Sequence, residues 1–263
     1  ALGWARNSPL HVWGPSGFTP EMGTAKFCEL MDQAALWHDQ SKIGIVASDG
    51  MQIVPHEFDY SQFSPDNPSM LVYDENDVKI YAFPVVHCIY GAVGYRLEWN
   101  GLSFTFHGDG SPSAVEAEQA KGVDVFMHEV FVSPETFTHK TGIPLQVTRG
   151  IVGEHTTGDR LGQLFDIAKP ALGVGYHYFL DDDTVDPMFE ELHQTYDGPV
   201  VLAQDLMVIN ITSEQIVTRM AQTNLLHWTP PPPPGLPHGT IGARSEAKIP
   251  QWLVDSVVAS ADE

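Results

Sequence analysis

The feature that most constrains this chain is a change of rhythm at Asp109. From about residue 43 to 107, segments rich in aromatic and β-branched residues follow one another: "QIVPHEFDY", "VKIYAFPVVH", "GYRLEWN" and "LSFTFHG". They read as strands, and Asn100-Gly101 between the last two is a strong hairpin signal. Beyond Asp109, helical and strand-like segments alternate. "SPSAVEAEQAKG" leads to "VDVFMHEVF", "TTGDRLGQLFDIAKP" to "ALGVGYHYF", and "DTVDPMFEELHQTYDG" to "PVVLAQDLMVINIT". This pattern specifies layered α and β, not a helical bundle or an all-β sandwich.

Ahead of this region, "PLHVWGPSG" reads as a short strand running into a Gly-Pro turn. A helix is expected over "TPEMGTAKFCELMDQAALWHDQ", with Thr19 as N-cap and Pro20 at its first position. Phe27, Leu30, Met31, Ala34 and Leu36 would form its apolar face. At the other end, "WTPPPPPGLPHGTIGARSEAK" reads as a polyproline-type arm and "IPQWLVDSVVASA" as a short surface helix. The expected division is a domain over 1–222 and an arm over 223–263.

Composition narrows the partners. Thirteen Lys+Arg against 34 Asp+Glu give a formal charge of −21 over 263 residues. Such a surface repels phosphate backbones, so nucleic acid is not an expected partner. No apolar run is long enough to cross a bilayer, and the opening lacks the basic start and apolar core of a signal peptide. Cytoplasmic and periplasmic locations both stay open. Cys28 and Cys88 form no disulfide framework, and alternation from the preceding strand makes Cys88 a buried thiol.

Four polar sites share one arrangement, in which an apolar strand ends in His or Asp and a turn follows. They are His87 after "YAFPVV", Asp109 after "FTFHG", His155 in "GEHTTG" and His177 after "ALGVGY". Each alone is explained as an ordinary turn or rim residue. Together, imidazoles and a carboxylate at element ends fit an N/O metal site such as zinc.

Order and spacing add a resemblance covering roughly residues 8 to 212. The run "FPVVHCIYGAVGYRLEWNGLSFTFHGDGSPSAVEAEQAKGVDVFMHEVF" resembles the C-terminal half of the metallo-β-lactamase-fold hydrolases, in the RNase Z and arylsulfatase-like branch. There a P-x-x-H precedes a "GYR" strand and a "GDT-x-P" turn follows. An "HE" then comes 19 residues on, the spacing of Asp109 to His128 here, with Glu129 completing the pair. "EHTTGDRLGQLFDIAKPALGVGYHY" is similar to the family's H-[ST]-[ST] helix start and the strand ending in a ligand histidine.

The resemblance implies an α/β, four-layer αββα sandwich holding one or two zinc ions. His87 would bind the first metal, Asp109 would bridge, and His177 would bind the second. His155 would be a proton donor or oxyanion stabiliser, with Glu129 orienting it. The chemistry implied is attack by a metal-activated hydroxide on a small, apolar or aromatic substrate. Ester, sulfate-ester or phosphate-ester hydrolysis and hydrolytic dehalogenation, as in chlorothalonil dehalogenase of the same superfamily, all fit.

Three departures matter. The family's H-x-H-x-D-H loop is absent from this sequence. An upstream segment, a second chain or nicked N-terminal piece that supplies the loop, or a metal-poor homologue would each account for it. In the last case the chain would be a non-catalytic binding or assembly module. A homo-oligomer also stays open as a partner. Gly110 stands where the family has Thr. His107, two residues before Asp109 on a strand, is expected on the same side as Asp109, as a substitute ligand, a substrate contact or a pocket wall.

Overall fold

The structure is a computed structural model that describes residues 8–43, 48–222 and 250–256. The chain divides into two compact units. One contains the described residues 8–12, 24–43, 48–56 and 250–256, and the other contains 13–23 and 57–222. The expected division at 222 grouped the N-terminal residues differently. The expected polyproline-type arm, 228–248, lies outside the described residues.

Strands β1 (Leu10–Pro15) and β2 (Ile53–Phe58) pair as a ribbon. Helix α1 spans Thr24–Asp39 and does not begin at Thr19. Thr19 and Pro20 open a separate 3-10 turn, Pro20–Met22, which ends at an extended Gly23. A Cβ at Gly23 would come within 2.3 Å of the Glu57 carboxylate, which would have to move aside for any other residue. The expected apolar face of α1 is not buried: Phe27, Leu30, Met31 and Leu36 are exposed, and only Cys28 and Asp39 are enclosed. Of the C-terminal helix, α7 (Gln251–Val254) is the described part.

The second unit is built on a seven-stranded sheet ordered β3-β4-β5-β6-β7-β8-β9. Its first half, β3 (Met70–Glu75), β4 (Val78–Pro84), β5 (Val93–Trp99) and β6 (Leu102–Phe106), is antiparallel. The expected hairpin at Asn100-Gly101 is present, with φ of 51° and 77°. Asn76 and Asp77, at 54° and 62°, make a second such turn, and β3 is a strand that the sequence reading did not single out.

From β6 onward the strands run parallel through β7 (Val125–Glu129), β8 (Leu172–Tyr176) and β9 (Val200–Leu202). The crossovers carry α2 (Ala114–Gln119), α3 (Pro134–Thr141), α4 (Leu145–Gly153), α5 (Gly158–Ala168) and α6 (Val185–Leu192). Helices α3 and α4 were not anticipated, although Ser133 caps α3, Pro134 opens it and left-handed Gly142 closes it.

One face of the parallel half packs on these helices. Phe126, Leu161 and Phe165 are fully buried there, and the two phenyl rings meet edge to face at 5.4 Å. Each such side chain contributes about 1.5–3 kcal/mol. The hairpin of β10 (Met207–Ile211) and β11 (Ile216–Met220) packs on the opposite face against Val125, Leu172 and Val174. Among the described residues no helix is long and apolar enough to cross a membrane.

This topology positions the chemistry. Parallel neighbours bring the C-terminal ends of β6, β7 and β8 side by side, with Phe106 opposite Met127 and Glu129 opposite Tyr176. Loops leaving such ends are where open α/β sheets place their ligands.

Candidate metal centre

Asp109 follows β6, Glu129 ends β7, and His177 follows β8. His155 joins them from the turn between α4 and α5, where Phe131 pairs with Thr157 and donates its N–H to Thr156 O at 2.7 Å. A carboxylate oxygen of Asp109 and ring nitrogens of His155 and His177 lie within 4.8 Å of one another. His177 Nδ1 stands 3.5 Å from Asp109 Oδ1 and 3.6 Å from Glu129 Oε2. The side chains of Asp109 and His177 are 40% and 44% exposed, so the cluster opens to solvent. His177 adopts φ of 62°, a conformation rare for a non-glycine residue. Such strain collects where a side chain must be aimed.

Glu129 forms the floor. It is completely buried, accepts the Gly110 N–H at 2.8 Å, and both its oxygens receive His155 Nδ1, at 2.9 and 3.0 Å. Burial pushes its carboxyl up to about 7, with the Gly110 amide opposing and the Asp109 charge adding. Burial also lowers the His155 pKa, against the pull of Asp109 and Glu154. A neutral imidazole whose Nδ1 is committed to a carboxylate presents Nε2 with its lone pair. The ring is held from behind by Phe131, stacked at 4.6 Å.

His87 stands on the other side of His155, their rings 5.8 Å apart and edge to face. Its Nδ1 is 3.3 Å from Glu154 O, and with Cys88 and Glu154 it makes a second group of potential ligands. Cys88 is exposed, 3.6 Å from His87 Nε2, and not the buried thiol expected. Strand β4 ends at Pro84, so its alternation does not reach residue 88. His11 and His56 form a pair apart from these clusters, their Nδ1 and Nε2 2.8 Å apart.

His107 does not share a side with Asp109. Strand β6 ends at Phe106 and Gly108 breaks the alternation. The His107 ring turns inward and is fully buried, which removes it from contact with any substrate. There it meets Glu116 of α2 and His128 of β7, both also fully buried. This second cluster was not anticipated, yet a signal existed. Ser113 and Glu116 form a capping box, Ser113 N–H donating to Glu116 Oε1 at 2.9 Å, which fixes a glutamate on the inner face of α2.

No family model and no curated protein matches the sequence. Solved structures do. The short form of human tRNase Z is similar at 18% identity, over 78% of this chain and 67% of its own, with a TM-score of 0.50. A metallo-β-lactamase fold protein from Bacillus subtilis is 14% identical over 57% of this chain, with a TM-score of 0.41, and the match spans about half (52%) of that protein. A long form RNase Z from yeast is 11% identical over 75% of this chain and 28% of its own, at 0.44. At such identities the likeness is one of fold. The mixed sheet and its parallel half with α-helical crossovers agree with it: this chain has the metallo-β-lactamase fold.

Proposed function

We propose that the chain is a metal-dependent hydrolase of small molecules, with Asp109 and His177 as metal ligands and His87 as a ligand on the far side of His155. The observation that supports this best is the convergence of Asp109, His155 and His177 over a buried glutamate at the ends of parallel strands. The donors are imidazole nitrogens and carboxylate oxygens, a set that suits zinc and other first-row divalent metals. When bound, such an ion supplies Lewis acidity and lowers the pKa of water.

The chain's own residues would do the rest. Glu129 fixes the His155 tautomer through Nδ1, leaving Nε2 to exchange a proton with the reacting group or to take up its developing charge. Phe131 backs both His155 and His177, its ring centroid 4.6 and 6.3 Å from theirs, and Phe179 lies 5.6 Å from Phe131. This apolar wall favours an apolar or aromatic substrate. The formal charge of −21 favours an uncharged one over a polyanion such as RNA. Esters, sulfate and phosphate esters and hydrolysable aryl halides are the substrate classes to try.

The test is metal analysis of the purified full chain with calorimetric zinc titration, alongside hydrolysis of aryl ester, aryl sulfate, phosphodiester and chloroaryl substrates. Zinc uptake and turnover, both abolished by Asp109→Ala and by His177→Ala, are expected. A folded wild-type chain that binds no divalent metal would sink the reading and leave a non-catalytic binding module.

A further inference from the structure

His107, the residue just past β6, and His128 of β7 stand side by side, one residue beyond the Phe106–Met127 pair. Their rings stack at 4.0 Å and 12°. Each Nδ1 lies 2.6 Å from the carbonyl oxygen of the next residue, Gly108 O for His107 and Glu129 O for His128. A carbonyl only accepts, so both Nδ1 atoms carry hydrogen. Both Nε2 atoms therefore face Glu116, at 2.5 Å from Oε2 and 3.5 Å from Oε1.

The three side chains form one compact polar group closed off from solvent. The pair is enclosed on every side, and Glu116 is tied to the start of α2 through Ser113 N–H. The peptide before Gly108 is held as well, since Tyr176 O–H donates to His107 O at 2.9 Å.

What the cluster grips is the backbone beside Asp109 and Glu129. Asp109 sits between Gly108 and Gly110, the two residues with the greatest backbone freedom to lose. A Cβ on Gly110 would stand 2.6 Å from Val85 Cγ1, 2.9 Å from Val86 O and 3.0 Å from His107 Cε1, so the inward ring is one of three neighbours that leave room only for glycine.

We propose that the buried His107–Glu116–His128 cluster positions Asp109 and Glu129, holding the Gly108 and Glu129 carbonyls so that the two carboxylates face the same point. These are positioning residues that act through the backbone. The proposal rests on the metal-centre reading for its effect on metal affinity, and not for its effect on the backbone.

The Gly110 amide, which donates to Glu129 Oε1, reports the alignment directly. Its native-state hydrogen exchange would be measured in wild type, Glu116→Gln, Tyr176→Phe and the double variant His107→Leu/Glu116→Leu, each with its urea midpoint. The double variant replaces the buried His107 and Glu116 by apolar side chains, a change that commonly preserves stability. Gly110 exchange is expected to rise at least tenfold in Glu116→Gln and in the double variant, even where the midpoint stays near wild type. Tyr176→Phe, which leaves the pair intact, is expected to give a smaller rise. Zinc affinity should fall about 10–100-fold in the same order, as when outer contacts of a metal site are removed.

Exchange at Gly110 within twofold of wild type in every folded variant would overturn the proposal and leave a merely structural ion pair. A tight zinc site surviving in Asp109→Ala/His177→Ala would overturn it differently, by making the buried cluster a metal site itself. If wild type binds no zinc, the metal-centre reading fails while exchange at Gly110 still decides the positioning.

Discussion

Two clusters of two histidines and a carboxylate lie within a few residues of each other at the same strand ends, and their surroundings give them opposite characters. In the outer one, Asp109, His155 and His177 converge at the surface, with Asp109 and His177 about half exposed. In the inner one, His107, Glu116 and His128 are sealed from water. Outside, nitrogen and oxygen atoms are spread widely enough to take an ion and open enough to receive one. Inside, the desolvation penalty is met only by direct pairing, and the Glu116 carboxyl shows it. Burial raises its pKa, but the two imidazoles more than reverse this and hold it at about 2. The same burial keeps the His128 imidazole neutral, helped by the neighbouring His107. Residue type offers the chemistry, and enclosure decides which chemistry it is.

The comparison is broken most strongly from the inside. Glu116→Gln removes the buried carboxylate that both imidazoles face and should cost about 1–3 kcal/mol in urea unfolding at pH 7. The pH dependence carries the sign. A carboxyl depressed from about 4.5 to about 2 contributes stability that is fully present above pH 4.5 and is lost as pH falls through 2. Wild type should therefore lose about 2–3 kcal/mol more than Glu116→Gln between pH 4.5 and 2. Parallel acid-unfolding curves would refute the pairing.

From the outside, Asp109→Ala should weaken zinc binding by about a hundredfold or more while shifting the urea midpoint little, because its side chain is 40% exposed. Calorimetry against unfolding separates the two effects. Gly110→Thr restores the residue expected from the resemblance and links the clusters. Its Cβ would strike Val85 and the Val86 carbonyl and crowd His107, so a cost of about 1–3 kcal/mol is expected, with a minor part recovered in His107→Ser/Gly110→Thr. Full additivity in this double-mutant cycle would show that the two positions are independent. Cys88→Ser, at an exposed residue, should change stability by less than about 0.5 kcal/mol. A large loss of zinc affinity in that variant would instead make Cys88 a ligand beside His87.

Legibility in the sequence followed the range of the interaction. The Asn100-Gly101 hairpin was readable because two residues dictate that turn by their own backbone preferences. The helix after Gly23 was readable as a helix, but its start was misplaced. Thr19 and Pro20 carry a start signal that the extended Gly23, pressed against Glu57, cuts short. Cys88 and His107 were assigned to the wrong environments for a common reason. Strand alternation was extended past Pro84 and Phe106, where the strands stop. Helix α3 is an exception, with local caps at Ser133 and Gly142, whereas α4 begins at Pro144 without a side-chain cap.

By itself, the sequence determined the layered α/β class, the switch from successive strands to alternating helix and strand at Asp109, and the identity of the residues at the strand ends. Those follow from periodicity and turn chemistry, which act over a few residues. Only the tertiary structure decided which of those residues meet. Parallel pairing of β6, β7 and β8 set His107 on His128 and brought Asp109 and His177 to Glu129. Packing of α2 then slid Glu116 over the inner pair. Contacts between residues tens of positions apart depend on register and burial, and no short stretch of sequence encodes either one alone.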